Sequence, residues 1–292
     1  TLLAYLKREK IIDLCYERRV GQSGYFAYTI FKHLDATNTK KILHANGVAQ
    51  SRSVALSKAI GEIVERTVAG KGDENRNVVY SSVSKLRTRG RVFYPPEHHR
   101  FLQVQKDQFP GLNFTEQKLQ NWVVGFDLHN GEHVFIPRHL TSWFYAKNGE
   151  NEIFVNPTTN GSALAFTKED AALRGLLEVV ERDAYFTHWL TKTAPPIFDL
   201  DTLPLDIKDS IDSYRERGIT LHVLNTTTNV PIPSVCIVAI SREAEVPGVV
   251  VSASSALSFG AAIRSALREM IICAQSLNEE ILPCADVEPF VS

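Results

Sequence analysis

Residues 156–190, NPTTNGSALAFTKEDAALRGLLEVVERDAYFTHWL, predict a tight loop, a helix cap and one helix with two unlike faces. Asn156-Pro157 and Asn160-Gly161 are turn signals, Thr167 with Asp170 three residues on resembles a capping box, and the run from Glu169 to Leu190 has helical periodicity. At about 100° per residue, Leu173, Leu176, Leu177, Val180 and Ala184 fall on one stripe, expected to be buried. Arg174, Glu178, Glu181 and Arg182 fall on another.

A charged stripe is ordinarily a solvated face, and Glu178 to Arg182 is a favourable i,i+4 pair. A near copy elsewhere in the chain argues for more. Residues 61–66, Gly-Glu-Ile-Val-Glu-Arg, and residues 177–182, Leu-Glu-Val-Val-Glu-Arg, share Glu-(aliphatic)-Val-Glu-Arg at a separation too long for a solenoid repeat. Two such helices point to one site built from both, because a hard cation such as magnesium takes carboxylate oxygens and a phosphate takes Arg.

On these residues the chain resembles the YcaO family. Thr159-Asn160-Gly161 followed by Glu178-x-x-Glu181-Arg182 is similar to the family's central signature, a Ser/Thr-Asn-Gly loop before a Glu-x-x-Glu-Arg helix. Residues 57–66, SKAIGEIVER, resemble its first motif, and Phe259 to Glu269 resembles its late helix of Arg, then Glu, then Gln. The three come in the family's order and span roughly residues 43 to 275. Three positions depart from the pattern. Lys58 stands where a small residue is usual four before the first Glu, and Ser265 and Ile272 stand where an Arg and a Gln flank Glu269, with Arg264 and Gln275 displaced. The chain also closes Glu288-Pro289-Phe290-Val291-Ser292 where the azoline-forming branch ends in Pro-x-Pro-x-Pro, which is the pattern expected of a fragment or of another branch.

The resemblance implies a mixed α+β fold of the α/β type, a single YcaO-like domain over 1–292, and ATP with Mg2+ as cofactors. By position it implies nucleotide contacts at Glu62, Glu65, Arg66, Asn160, Glu178, Glu181, Arg182 and Glu269, with metal at Glu62, Glu65, Glu178, Glu181 and Glu269; it assigns no catalytic base. Five glutamates exceed what one ion needs, so either more than one ion is held or some glutamates orient arginines. Bringing them together without cations is costly, since like charges raise each other's pKa.

The implied reaction is activation of a peptide backbone amide: a nucleophile adds to the carbonyl carbon and the oxygen is phosphorylated, then lost as phosphate. A Cys, Ser or Thr side chain as nucleophile gives an azoline, and external sulfide gives a thioamide. The implied partners are a precursor peptide, an E1-like or TfuA-like protein and a second copy of the chain in a homodimer. The altered last motif also permits a scaffold subunit that has lost turnover.

Composition is compatible with this. In 292 residues, 44% hydrophobic and 22% charged describe a chain able to bury a sizeable core, and a net charge of −1 points neither to nucleic acid nor to a membrane surface. Cys15, Cys236, Cys273 and Cys284 lack C-x-x-C spacing, which argues against a zinc ribbon and for a reducing, cytoplasmic setting. In that setting Asn113-Phe-Thr and Asn225-Thr-Thr match the glycosylation pattern by chance. No apolar run approaches the length of a membrane span, and there is no Gly-x-x-x-x-Gly-Lys-Ser/Thr, so nucleotide binds by a route other than a P-loop.

In chain order the patterns predict a helix from Leu2 to Arg18 ended by Gly21, a strand from Tyr25 to Phe31, and the first motif helix over 51–68 with Leu56, Ile60, Ile63, Val64 and Thr67 buried. Residues 69–91 read as a surface loop, and 121–140 as a hairpin with a type I′ turn at Asn130-Gly131. His129, His133 and His139 lie near that hairpin without a fourth metal ligand. A helix over 205–217 closed by Gly218, strands over 219–224, 233–241 and 248–254, and the last motif helix over 260–277 complete the chain. On that last helix Ile263, Ala266, Leu267, Met270 and Ala274 form the apolar stripe.

Overall fold

A computed structural model describes residues 2–20, 25–33, 42–71, 78–96, 101–108, 114–143, 155, 157–241 and 248–281. Gly21, Asn113, Asn156, Cys284, residues 288–292 and the side chain of Gln275 lie outside the described residues. The chain forms two compact units, Thr1–Glu65 with Asn160–Ser292, and Arg66–Thr159.

The first unit carries two three-stranded sheets, both antiparallel. One runs β1 (Leu14–Val20), β2 (Tyr25–His33), β3 (Ile42–Ala49), and the other β7 (Ile219–Asn225), β8 (Ser234–Ser241), β9 (Val249–Ser255). With no parallel pair inside either sheet, the mixed α+β expectation holds in its antiparallel form. The sequence reading of one helix over Leu2 to Arg18 is corrected: α1 covers only Leu2–Arg8, Lys10 turns left-handed at φ 53, and the rest becomes β1. Helix propensity loses there to ladder pairing, which runs without interruption from Leu14 opposite Phe31 to Val20 opposite Tyr25.

Helix α7 (Phe259–Ile281) packs on β8 and β9 and also on β3. Its apolar stripe falls where the periodicity puts it, with Ile263, Ala266, Leu267 and Met270 buried against Val235, Ile237, Val250 and Ile207, and with Ala274 packed at the edge. Ile271, a step round the helix, joins Ala27 and Val48 of the other sheet. α6 (Leu205–Arg215) covers β7 through Ile207 and Ile211 and is followed by Gly218 at φ 75. α5 (Lys168–Thr191) also packs on β8 and β9. Successive residues of a strand point to opposite faces; Ile237 belongs to the α6 and α7 core, whereas Cys236 is buried within electrostatic reach of Tyr185 of α5.

The N-cap half of the expected capping box forms: Thr167 is the N-cap of α5 and its hydroxyl accepts the Asp170 amide at 3.1 Å, while Lys192 ends the helix in a left-handed conformation. The stripe assigned to its buried face is only half right. Val180 and Ala184 are buried, Leu177 is partly covered, but Leu173 and Leu176 are 39% and 50% exposed. At its N-terminal half the close contact of the helix is made by Gly175, which is buried against the Gly161 turn.

α2 (Arg52–Lys71) buries Ala55, Ala59 and Ile63, whereas Leu56, Ile60, Val64 and Thr67 are only partly covered. Small residues face inward because β3 crosses the helix at contact distance: a Cβ on Gly47 would lie 2.0 Å from the Ala55 carbonyl oxygen.

The second unit holds a third antiparallel sheet, β4 (Val79–Ser81), β5 (Gln120–Phe126) and β6 (His133–Pro137), with the short helices α3 (Val83–Thr88) and α4 (Gln103–Gln108). Val83, Leu86 and Trp122 form its core with Val79, Phe93, Phe114 and Phe135 around them. Part of the expected surface loop at 69–91 is thus structured: α2 runs on to Lys71, and β4 and α3 follow, capped by Ser82. The hairpin exists, but its turn is longer than the two-residue type I′ turn expected. Phe126 pairs with His133, and the six residues between them close through Asp127 and Glu132, with Gly131 alone at positive φ. Asp127 accepts the His129 amide and Asn130 accepts that of Glu132, so side-chain turns replace the tight one.

Candidate nucleotide and metal site

Glutamates from the first two motif helices take hold of backbone on other segments. Glu62 of α2 accepts the Asn46 amide of β3 at 2.9 Å, and Glu65 accepts the Leu164 amide at 3.2 Å. Glu178 of α5 accepts the Gly161 amide at 3.0 Å, which fixes the turn after Asn160 against its own helix. That turn requires two glycines: Gly161 sits at φ 84, and a Cβ on Gly175 would lie 2.4 Å from the Gly161 carbonyl oxygen. Arg174 closes the same segment by donating to the Leu164 carbonyl at 3.2 Å.

Arg182 lies between two carboxylates, 3.7 Å from Glu178 and 3.6 Å from Glu181. The carboxyl of Glu181 is pushed up to about 7, chiefly by burial; Arg182 pulls the other way, the Glu269 and Glu178 charges add to the rise, and the Ser255 amide opposes it. Glu269 of α7 is likewise raised, by burial and then by Glu62, against Arg182, Lys58 and Arg268. It keeps solvent access through a cavity while protein surrounds it on its other sides. The three motif helices therefore converge. Glu269 feels the charge of Glu62, and Glu181 that of Glu269 and Glu178, so charge links all three helices.

The cavity measures about 1040 Å³, ample for a nucleotide. Glu62, Glu65 and Glu269 line it together with Lys58, Arg174 and Arg268. Ser265 and Ile272, two of the departures from the motif, line it too. Arg264 does not compensate for Ser265, since its guanidinium is held by the Asp206 carboxylate of α6 at 2.5 and 2.8 Å. Asn160 is exposed in its turn, and Arg66 follows Glu65 along α2. Sequence reasoning passed over Arg268, which adjoins Glu269, and treated Lys58 only as an anomaly; an unpaired motif position occupied by a cation was the available signal.

An oxygen-only donor set suits a hard cation such as Mg2+. Glu181 and Glu269 fit that role as oxygen donors: burial above all, and then neighbouring carboxylates, raises both carboxyls, and a divalent ion would favour their ionised forms. Among the described residues no three His, Cys, Asp or Glu side chains are gathered into a ligand shell. Glu62, Glu65 and Glu178 are instead turned to backbone amides. His129, His133 and His139 form no such shell either; His133 stacks edge-on with Phe126 and His139 is buried.

The family description "YcaO cyclodehydratase, ATP- and Mg2+-binding" matches residues 46–288. The chain belongs to the YcaO family. ATP and Mg2+, expected from the motifs, are thereby the family's ligands. Among solved structures, this YcaO chain is similar to a heterocyclase in complex with substrate and cofactor, at TM-score 0.80 and 21% identity over 95% of this chain and 39% of the other. It is similar to YcaO from Methanopyrus kandleri bound with AMPPCP and Mg2+, at TM-score 0.72 and 19% identity over 97% and 67%. The microcin synthetase McbBCD complex of E. coli gives TM-score 0.71 at 14% identity over 93% and 66%. Identities this low establish a common fold. An uncharacterised protein from the tfuA 3′ region of Rhizobium leguminosarum bv. trifolii is 30% identical over 118 residues, 39% of this chain and 27% of that protein. The chain thus spans about a quarter of that relative and about two fifths of the heterocyclase. No described helix is long and apolar enough to cross a membrane.

Proposed function

We propose that residues 1–292 form a single YcaO-like domain that uses ATP and Mg2+ to activate backbone amides of a ribosomally made precursor peptide in the cytoplasm, giving azolines from Cys, Ser or Thr. One observation carries the reading: Glu62 and Glu65 of one motif helix and Glu269 of another line a single nucleotide-sized cavity together with Lys58 and Arg268, and Glu181 of the third is coupled to Glu269 by charge. When bound, Mg-ATP supplies the phosphoryl group that turns the amide oxygen into a leaving group. Glu181 and Glu269 hold the cation, with Glu62, Glu65 and Glu178 as further oxygen donors. Arg182, oriented by Glu178 and Glu181, neutralises charge on the transferring group, and Arg66 and Asn160 complete the nucleotide contacts. The protein's contribution is position and electrostatics.

The relative from the tfuA 3′ region favours a second reading, thioamide formation with a TfuA-like partner in place of an E1-like one. A homodimer is part of either proposal, supported by the exposed apolar residues Leu173, Leu176, Val179, Phe186, Trp189 and Leu190 of α5.

The test incubates chain, precursor peptide, ATP and Mg2+ with an E1-like protein, or with a TfuA-like protein and sulfide, and reads peptide mass and phosphate release. Loss of one water per site supports the azoline reading, and exchange of oxygen for sulfur supports the thioamide. Binding of Mg-ATP without phosphate release or mass change in both mixtures rejects both.

A further inference from the structure

Three cations line the cavity, and they are not equivalent. Arg174 of α5 donates one of its five N–H groups to the Leu164 carbonyl and is thereby tied to the segment after the Asn160 turn. Lys58 of α2 donates to the Val48 carbonyl at 3.2 Å, which leaves two of its three N–H groups for the cavity. The Arg268 guanidinium makes no hydrogen bond or ion pair among the described residues. Lys58 and Arg268 come from different helices, line the same cavity and repel each other, while the Glu269 charge interacts favourably with both. Ser265 and Ile272, the other α7 residues there, are uncharged. Two like charges lining one cavity form an arrangement that an anion completes.

We infer that Lys58 and Arg268 form the anion subsite of the cavity and receive phosphate oxygens of the bound nucleotide. The cation side is left to the carboxylates. This inference rests on the nucleotide reading and assigns the phosphate end of the site to two residues outside the Glu-x-x-Glu-Arg pattern. Lys58 acts as a point charge and Arg268 as a planar fork, so the two hold different oxygens without competing.

The test is calorimetric titration of the whole chain with two probes, the Mg2+-bound methylene analogue of ATP and Mg2+-tripolyphosphate, with a thermal melt as the control for folding. Lys58→Met and Arg268→Gln each weaken both probes by about tenfold or more, as expected for loss of a charge-assisted hydrogen bond, while Lys58→Arg stays within about threefold of wild type. Wild-type affinity in folded Lys58→Met and Arg268→Gln overturns the subsite and leaves the nucleotide reading standing. So does failure of Lys58→Arg to restore what Lys58→Met loses, because shape rather than charge is then responsible. If Lys58→Met does not fold, Arg268→Gln and Lys58→Arg decide by the same criteria. A folded wild type that binds neither probe overturns the nucleotide reading and the subsite together.

Discussion

Gly161 and Gly175 meet backbone to backbone, so closely that a Cβ on Gly175 would lie 2.4 Å from the Gly161 carbonyl oxygen. On an isolated helix Gly→Ala stabilises by roughly 1 kcal/mol. Here the new methyl meets backbone that cannot swing aside, and overpacking of that kind costs about 1–3 kcal/mol. Gly175→Ala is therefore destabilising, and it weakens Mg-ATP binding by displacing the Asn160 turn. The sign of the change in a thermal melt decides the matter.

The raised carboxyl of Glu181 makes stability depend on pH in a definite direction. Its folded value of about 7 lies above its ordinary 4.5, so the neutral form is the one the fold prefers. The contribution is fully present below about pH 4.5 and is lost as pH rises through about 7, on the order of 3 kcal/mol in all. Melts of the ligand-free protein from pH 5 to 8 should show this decline, and Glu181→Gln should flatten it. Mg2+ with ATP should flatten it too, since a bound cation favours the ionised form.

Glu181→Gln separates a catalytic carboxylate from a solvated one. The change keeps size and removes one charge. A carboxylate that only faced solvent would lose a few tenths of a kcal/mol, whereas one that holds Mg2+ against the transferring phosphoryl group loses on the order of several kcal/mol in the barrier. Phosphate release with peptide and partner present should therefore fall by orders of magnitude, while the melt of the ligand-free variant at neutral pH is no lower than that of wild type. Release within about twofold of wild type returns the residue to an ordinary role.

The uncovered residues of α5 predict association. Leu176 and Phe186, 50% and 46% exposed, are far enough apart to sample the length of the face. Light scattering should give a dimer whose population falls on dilution or with Leu176→Asp and Phe186→Asp together. Because both positions are exposed, the melt of the separated chains should change little, within about 0.5 kcal/mol per site. A dilution-independent monomer for the wild type argues against the dimer.

Periodicity located the elements whose burial is one-sided. α7 is the clearest case, with Ile263, Ala266, Leu267 and Met270 all buried as the stripe requires. It misjudged elements decided by partners distant in sequence. Leu14 to Arg18 reads as helix until the ladder to β2 is known, and the inward face of α2 is set by β3 crossing at Gly47. At the site, the motifs pointed to Glu62, Glu178, Glu181 and Glu269, and the structure couples Glu62 to Glu269, and Glu181 to both Glu269 and Glu178, through their charges. The motifs carried no sign that Glu62, Glu65 and Glu178 would bind backbone amides, because an amide partner leaves no mark in the sequence. The departures at Lys58, Ser265 and Ile272, scattered over two motifs, turn out to share one cavity.

The peptide units flanking Leu164 are gripped from two directions, the amide by Glu65 of α2 and the carbonyl by Arg174 of α5, each at 3.2 Å. Both bonds are near the long end of the hydrogen-bond range, so sliding either helix by about an ångström breaks one of them. Leu164 also lines the cavity, so the two side chains that tie α2 and α5 to it hold part of the cavity's lining in place.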